Sequence, residues 1–422
     1  MPVAVDLRPL RYSGFRRLFG GSLFAVLVSQ GLVVVVANAV YDITKSSFAV
    51  GLVAAAELVP LMVLALVGGA VADAFDRRVV VLTAESLQLV CLGLLALDLS
   101  GDRPHLWAIY VLAATVAGLS SISQPARWAI TPRLVPLELY AAASALEGVT
   151  WNIAAIAGPG LGGVGYDLIG PTGTLLVMMG LSVVSLVSVA SLGPVPPEAG
   201  GTQVSMRSIV DGFRFLRGKQ SLQGTYLLDF NAMIFGMPQA LFPAMVHERF
   251  SRIEGAKGYL YAAPAVGALV GSLTSGWTSR VHRHGLAIIL AVGAWGVAIT
   301  AFGIPAPLWF ALTMVGVAGW ADMVSVIYRK TMWATIIPDE LRGRLNGIAW
   351  ANVRGGLLLG NVEAGTVARL TNTTTSVISG GLICVIGAVV LAVLLPRFRR
   401  YSSLDPTATL EAETVRKLSA PS

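Results

Sequence analysis

Seven ionisable side chains stand inside long apolar runs of this 422-residue chain: Glu57, Glu85, Glu147, Asp229, Asp322, Arg354 and Glu363. A charge in hydrocarbon costs roughly 2.5 to 3.5 kcal/mol on insertion scales, so each one retained is a candidate for function. Carboxylates at such depth can take up a proton from one side and release it to the other. Asp229 is the first choice. Asn231 is near it, and Gly236-Met237-Pro238 interrupts the run one to two turns onward, freeing backbone groups to face a cavity. Asp322 is the second, and Arg354 offers a positive charge to neutralise whichever carboxylate is empty. Glu57, Glu147 and Glu363 complete the proton-coupling set. The alternative for any one of these residues is a near-interface position or a structural ion pair.

Polar and aromatic residues at similar depth are the candidate substrate contacts: Gln30, Asn38, Trp151, Asn152, Phe230, Met233, Trp320 and Trp350. Rings with a few amides suit a large, partly planar guest. Packing is the competing role for the tryptophans and Met233. An integral membrane enzyme is not expected, because His105, His247, His282 and His284 all fall in predicted loops and neither HExxH nor GxSxG occurs. Cys91 and Cys384 sit in separate predicted helices, so no disulfide framework, metal site or cofactor is indicated.

The elements that must hold these residues follow from composition. Hydrophobic residues make up 55% of the chain and charged ones 13%, and the mean hydropathy is +0.73. The bilayer is the solvent of such a chain. Apolar runs of about twenty residues predict spans over 19–41, 48–68, 79–97, 106–124, 140–166 and 173–192, then 223–245, 259–277, 286–303, 308–328, 345–368 and 376–395. The expectation is an all-α membrane protein of twelve helices. Loops on one side collect most of the basic residues, among them Arg8, Arg11, Arg16, Arg17, Arg77, Arg78, Arg127, Arg280, Arg329, Arg342, Arg344 and Arg397. The other side receives only Lys45, Arg103, Arg249, Arg252, Lys257 and Arg369. The positive-inside rule then places both termini in the cytoplasm. The net charge of +7 is spread along that face, which gives no patch for nucleic acid. The first apolar run is too long for a cleaved signal peptide and leads into further spans.

A polar stretch opening GPVPPEAGG divides the spans into six and six. The domains read as 1–192, a linker over 193–222 carrying an amphipathic helix, 223–400, and a disordered tail over 401–422. Two anchors point to an internal repeat. Pro136-Leu-Glu138-Leu139 returns as Pro338-Asp-Glu340-Leu341, an offset of 202, and Gly69 has an echo in Gly276, an offset of 207. Duplicated halves of like orientation are a transporter architecture.

Between the second and third runs lies GGAVADAFDRR, from Gly68 to Arg78. Its Gly69, Asp73, Asp76, Arg77 and Arg78 resemble the loop between helices two and three of the major facilitator superfamily. The resemblance implies that fold, two pseudo-symmetric six-helix bundles, and a conformational latch in which Asp73 meets the start of helix eleven near Gly343, with Arg342 and Arg344 as ion partners. Ala74 stands where the family has arginine. Gly158, Pro159, Gly160, Gly162 and Gly163 are similar to the glycine-proline motif of helix five in the antiporter branch, where small residues allow close helix approach. Blocks over 229–244, 258–276 and 338–347 resemble the enterobactin (siderophore) exporter subfamily of drug:proton antiporters. That resemblance implies a monomeric carrier in the cell membrane that exchanges protons for a siderophore or an amphipathic small molecule by alternating access. A multidrug efflux pump or a lysolipid flippase of the same fold is the alternative.

Overall fold

The computed structural model describes residues 6–195, 214–217, 219–337 and 339–404; the side chains of 65–74, 339, 340, 342–344, 346 and 350 lie outside that description. Among the described residues every regular element is helical. Two compact units emerge. The first comprises Met1–Val204 with Phe242–Ala262, and the second Ser205–Leu241 with Ala263–Ser422.

In the first unit run α1 (Ser13–Thr44), α2 (Ser47–Ala74), α3 (Arg77–Ser100), α4 (Leu106–Leu134) and α5 (Tyr140–Ala190). The 51-residue α5 is not one rod. Gly170 takes φ 73° and ψ 173°, a backbone setting open to glycine, and Pro171 follows it. The predicted fifth and sixth spans meet at this turn as two arms lying side by side, since Gly31 of α1 touches Gly158 and Gly162 on one arm and Met178 on the other. Gly158 and Gly162, four apart, share the face that α1 approaches, while Gly163 meets the backbone of Gly258, in the stretch Phe242–Ala262 that belongs to this unit. Within the helix-five motif, then, three glycines are contact points; Gly160 has open space beside it.

The stretch Gly68–Arg78 is less of a loop than its charge suggested. α2 continues through Ala74, leaving only Phe75 and Asp76 between helices. Asp76 caps α3, accepting from the backbone N–H of Arg78 at 2.8 Å and from that of Val195 at 3.0 Å. Arg77 donates to the Ala129 carbonyl at 3.0 Å, and Arg78 to the Ala190 carbonyl. These residues thus tie the start of α3 to the last turns of α4 and the end of α5, and Arg78 satisfies the carbonyl of the last residue of α5. Gly69 and Asp73 lie in the last turns of α2, and their side chains, like those of Arg342 and Arg344, are outside the described residues.

The chain then forms α6 (Gln220–Phe235), α7 (Phe242–Arg249), α8 (Ala256–Leu273), α9 (His284–Gly303), α10 (Leu308–Ile336), α11 (Asp339–Leu370), α12 (Thr373–Leu394) and the short α13 (Pro396–Arg400). The interruption expected at Gly236-Met237-Pro238 separates α6 from α7. The carbonyl it frees at Gly236 accepts from Trp295 Nε1 of α9 at 2.6 Å, and the Ala240 N–H donates to Asn361 of α11 at 3.0 Å. Residues 196–213, which hold most of the predicted amphipathic helix, lie outside the described residues, as do 405–422. Leu216 and Tyr401 are both buried in the core of the second unit.

Two corrections concern charges. α4 and α10 extend about ten and eight residues past their predicted spans, and Arg127 and Arg329, read as loop residues, are buried inside the bundles. The histidines also move: His247 falls in α7 and His284 heads α9.

Candidate coupling and substrate site

Arg329 lies on α10 with its side chain 6% exposed, and its guanidinium meets two carboxylates. Asp229 of α6, 5% exposed, pairs with Nη1, and Asp322 of α10 lies 3.2 Å from Nη2. A seven-residue separation is two helical turns, so Asp322 and Arg329 share one face of α10. Asp229 is held on its other side by Asn352 of α11, whose amide donates to Oδ2 at 3.0 Å and to the Tyr226 carbonyl at 3.2 Å. The Nε–H of Arg329 is buried without a hydrogen-bond acceptor among the described residues. Asp322 differs from its partner in access, because its side chain keeps 32% of its surface open.

The walls of this cluster are aromatic. Tyr226 stacks on Trp333 with ring centres 5.2 Å apart and planes at 17°. Tyr226 also donates to the Leu345 carbonyl at 3.1 Å, and Trp333 Nε1 to Thr225 at 2.9 Å. Both rings therefore have their polar atoms satisfied and stand rigid beside the ion pair. Phe230 and Met233 turn toward α11 at Gly356, where a methyl group would meet Met233 Cβ at 2.8 Å. Trp320 donates to Thr274 at 3.3 Å and stacks near Trp277.

Of the residues singled out by the sequence, Asp229 and Asp322 come together, with Phe230, Met233 and Trp320 on the same helices. The positive charge between them is that of Arg329. Arg354 stands two residues from Asn352 on α11, a step of about 200° around the helix, and has interactions of its own. Glu363 is half-buried three turns further along α11, and the side chain of Trp350 lies outside the described residues. In the first unit, Glu57 is half-buried on α2 and Glu147 accepts from Thr131 of α4. Asn38 is buried and bonds back to the Val34 carbonyl of its own helix at 2.8 Å. Gln30 packs its Cβ against Gly158, whereas Trp151 and Asn152 are exposed on α5. Arg329 and Asn352 are the members of the cluster that sequence reading passed over. The signal available for Arg329 was its place seven residues from an intramembrane aspartate.

Among the described residues no group of three or more His, Cys, Asp or Glu side chains is placed to hold a metal ion. What the cluster can do is bind a proton. One guanidinium serves two carboxylates, which leaves one negative charge over, next to a partly open Asp322.

Residues 4–419 match the family described as transmembrane secretion effector. Over 408 residues the chain is 30% identical to the enterobactin exporter EntS of Escherichia coli O1:K1 / APEC, covering 94% of this chain and 95% of that protein. The EntS of Shigella boydii serotype 18 matches to the same extent. Among solved structures, the nucleoside transporter NupG aligns with a TM-score of 0.73 at 14% identity, covering 92% of this chain and 100% of that one. A bacterial homolog of the human lysosomal transporter Spinster, in an inward-facing and occupied conformation, aligns with a TM-score of 0.73 at 15% identity, covering 94% and 99%. At such identity these structures speak for the fold alone.

Proposed function

The chain belongs to the transmembrane secretion effector family, a multi-pass membrane transporter of the major facilitator fold, and we propose that it exports a siderophore of the catecholate type in exchange for protons. The cargo class rests on the likeness to the enterobactin exporters. The coupling rests on one observation: Arg329 buried between Asp229 and Asp322, with only Asp322 open.

In this reading Asp229 stays locked on Arg329 by the additional hold of Asn352, and Asp322 is the carboxylate that loads and unloads. When Asp322 is protonated, Arg329 and Asp229 form a neutral pair and the cluster carries no net charge. When the proton leaves, the extra negative charge favours the conformation in which water or cargo can screen it. Alternating access then carries the proton inward and the cargo outward, with both termini on the cytoplasmic side and the carrier acting as a monomer. At 100 mV each inward charge contributes about 2.3 kcal/mol, which corresponds to accumulation of tens-fold. The half-buried Trp333, backed by the buried Tyr226, and the half-buried Trp320 supply flat surfaces suited to an aromatic guest.

The test is uptake into proteoliposomes under an imposed pH gradient, using enterobactin, other siderophores and a panel of amphipathic drugs and lysolipids. Gradient-driven movement of enterobactin that is lost in Asp322→Asn, with binding of enterobactin retained, is the expected result. Gradient-driven movement of drugs or lysolipids without enterobactin would reassign the cargo, and transport indifferent to the gradient for every probe would remove proton exchange.

A further inference from the structure

α4 and α10 are the same length, 29 residues, and every position of α4 from Leu106 to Leu134 has its counterpart 202 residues on, from Leu308 to Ile336. This is the offset of the Pro136 and Pro338 anchors. At that register Arg127 corresponds to Arg329. Both guanidiniums are buried, at 3% and 6% exposure, and both are tied to a carboxylate from another helix that is itself buried: Glu85 of α3 for Arg127, at 9%, and Asp229 of α6 for Arg329, at 5%. The carboxylates are not repeat counterparts, so the arginine is the shared feature and each half has found its own acid.

The second unit adds an open carboxylate, Asp322, two turns from its arginine. At the matching position the first unit has Ser120, which accepts from Gln88 at 3.0 Å. Its additional acid lies elsewhere: Glu147 of α5 accepts from Thr131, one turn along α4 from Arg127, and is only partly buried. From α4, Glu147 meets the Thr131 hydroxyl and feels the charge of Arg127, whose guanidinium is itself paired with Glu85 of α3. α1 contributes Ser22, which accepts from Arg127 at 3.1 Å. The basic residues of α1, Arg16 and Arg17, are spent on the carbonyls of Leu10 and Ser191, and Arg133 of α4 is exposed. Bordering Glu85 of that pair is a cavity of about 30 Å³ whose polar lining is Ser29, Glu85, Gln88, Ser120, Ser182 and Ser185, the rest of its wall being apolar. That is room for a water molecule among polar partners. The two units therefore hold the same charge set, one buried guanidinium, one locked carboxylate and one more accessible carboxylate, built on different helices.

We propose that the first unit carries a second exchangeable proton, held by Glu147 beside the Glu85–Arg127 pair, so that a full cycle moves two protons rather than one. The site as a proton binder stands on its own geometry; only the count per cycle rests on the exchange reading given above. Glu147 is the counterpart in role of Asp322, and Glu85 is the fixed counter-ion.

Infrared difference spectra of the full-length protein in nanodiscs, recorded between acid and alkaline pH, follow the protonated carboxyl band without any cargo. Glu147→Gln is expected to remove one component of that band and Asp322→Asn a different one. Glu147→Asp should keep a component at a shifted position, which guards against a loss caused by misfolding. Ser120→Asp in the Glu147→Gln background should restore one, because it sets a carboxylate seven residues before Arg127, the spacing at which Asp322 meets Arg329. A Glu147→Gln spectrum superimposable on that of the unaltered protein overturns the proposal. In proteoliposomes the zero-flux potential with enterobactin should correspond to a proton count that falls from two to one in Glu147→Gln. An unchanged count also overturns the two-proton cycle. Spectra that lose the Glu147 component while no probe moves with the gradient would support the site and sink the exchange reading; loss of the Asp322 component alone, together with gradient-driven movement of a probe, would support the exchange reading and sink the site.

Discussion

Arg329 holds two carboxylates at once, so its removal is felt twice. Arg329→Ala leaves Asp229 and Asp322 facing each other with no cation between them, and breaking a buried pair in this way costs about 3 to 5 kcal/mol. Thermal unfolding in detergent should show a large drop for Arg329→Ala and a much smaller one for Arg329→Ala combined with Asp229→Asn and Asp322→Asn, which removes the stranded charges. Asp229→Asn and Asp322→Asn should separate in the same assay. The first loses the acceptor locked by Arg329 and Asn352 and is the more destabilising; the second, on a side chain 32% exposed, changes coupling more than stability. The two aspartates were legible because an acid inside an apolar run is conspicuous. Arg127 and Arg329 were not, for a physical reason: a hydropathy reading ends a span where the first arginine near its end appears. A buried arginine near a helix end is then indistinguishable from a loop arginine, and positive-inside counting absorbs it.

At the scale of elements, the glycines of α5 divide by what lies beside them. A side chain at Gly162 would meet the backbone of Gly31 and one at Gly163 that of Gly258, neither of which can yield, whereas Gly160 has nothing within 4 Å. Gly162→Val and Gly163→Val should therefore abolish a monodisperse peak in size-exclusion chromatography, and Gly160→Ala should leave it intact. The break between α6 and α7 makes a second case. Trp295→Phe removes the donor that satisfies the Gly236 carbonyl, and an unsatisfied buried carbonyl costs about 1 to 3 kcal/mol, again read by thermal unfolding. The glycine-proline motif and the Gly236–Pro238 break were visible in the sequence as composition. Which glycines touch a neighbour was not, because that depends on the rotation of α5 against α1, and several of its faces carry small residues. Likewise the charges of Asp76, Arg77 and Arg78 announced a polar turn, but their use in capping α3 and α5 and in gripping the last turns of α4 depends on where those helices end.

For the molecule as a whole, the repeat was readable from Pro136 and Pro338, and α4 and α10 match end for end at that offset. The division into units was less legible. Residues 242–262 group with the first unit although the chain on either side of them belongs to the second. There Lys257 bonds Asp167 at 3.0 Å and lies over the Tyr166 ring at 4.3 Å, and Gly255 donates to Asp167 at 3.0 Å. Nothing in the apolar pattern of a span reveals that one part of it will group with one unit and the rest with the other. If these contacts part during transport, a disulfide between Asp167→Cys and Lys257→Cys should stop flux, and a reducing agent should restore it.

The Glu85–Arg127 pair and the Asp229–Arg329–Asp322 cluster have one more consequence, for biogenesis. Every partner in each lies within its own unit, so neither half has to enter the bilayer carrying an ionised group that waits for the other half to be synthesised. Separate expression of 1–204 and 205–422 from two genes in one cell should yield fragments that insert independently and copurify. The amount of each should be insensitive to the order in which they are made.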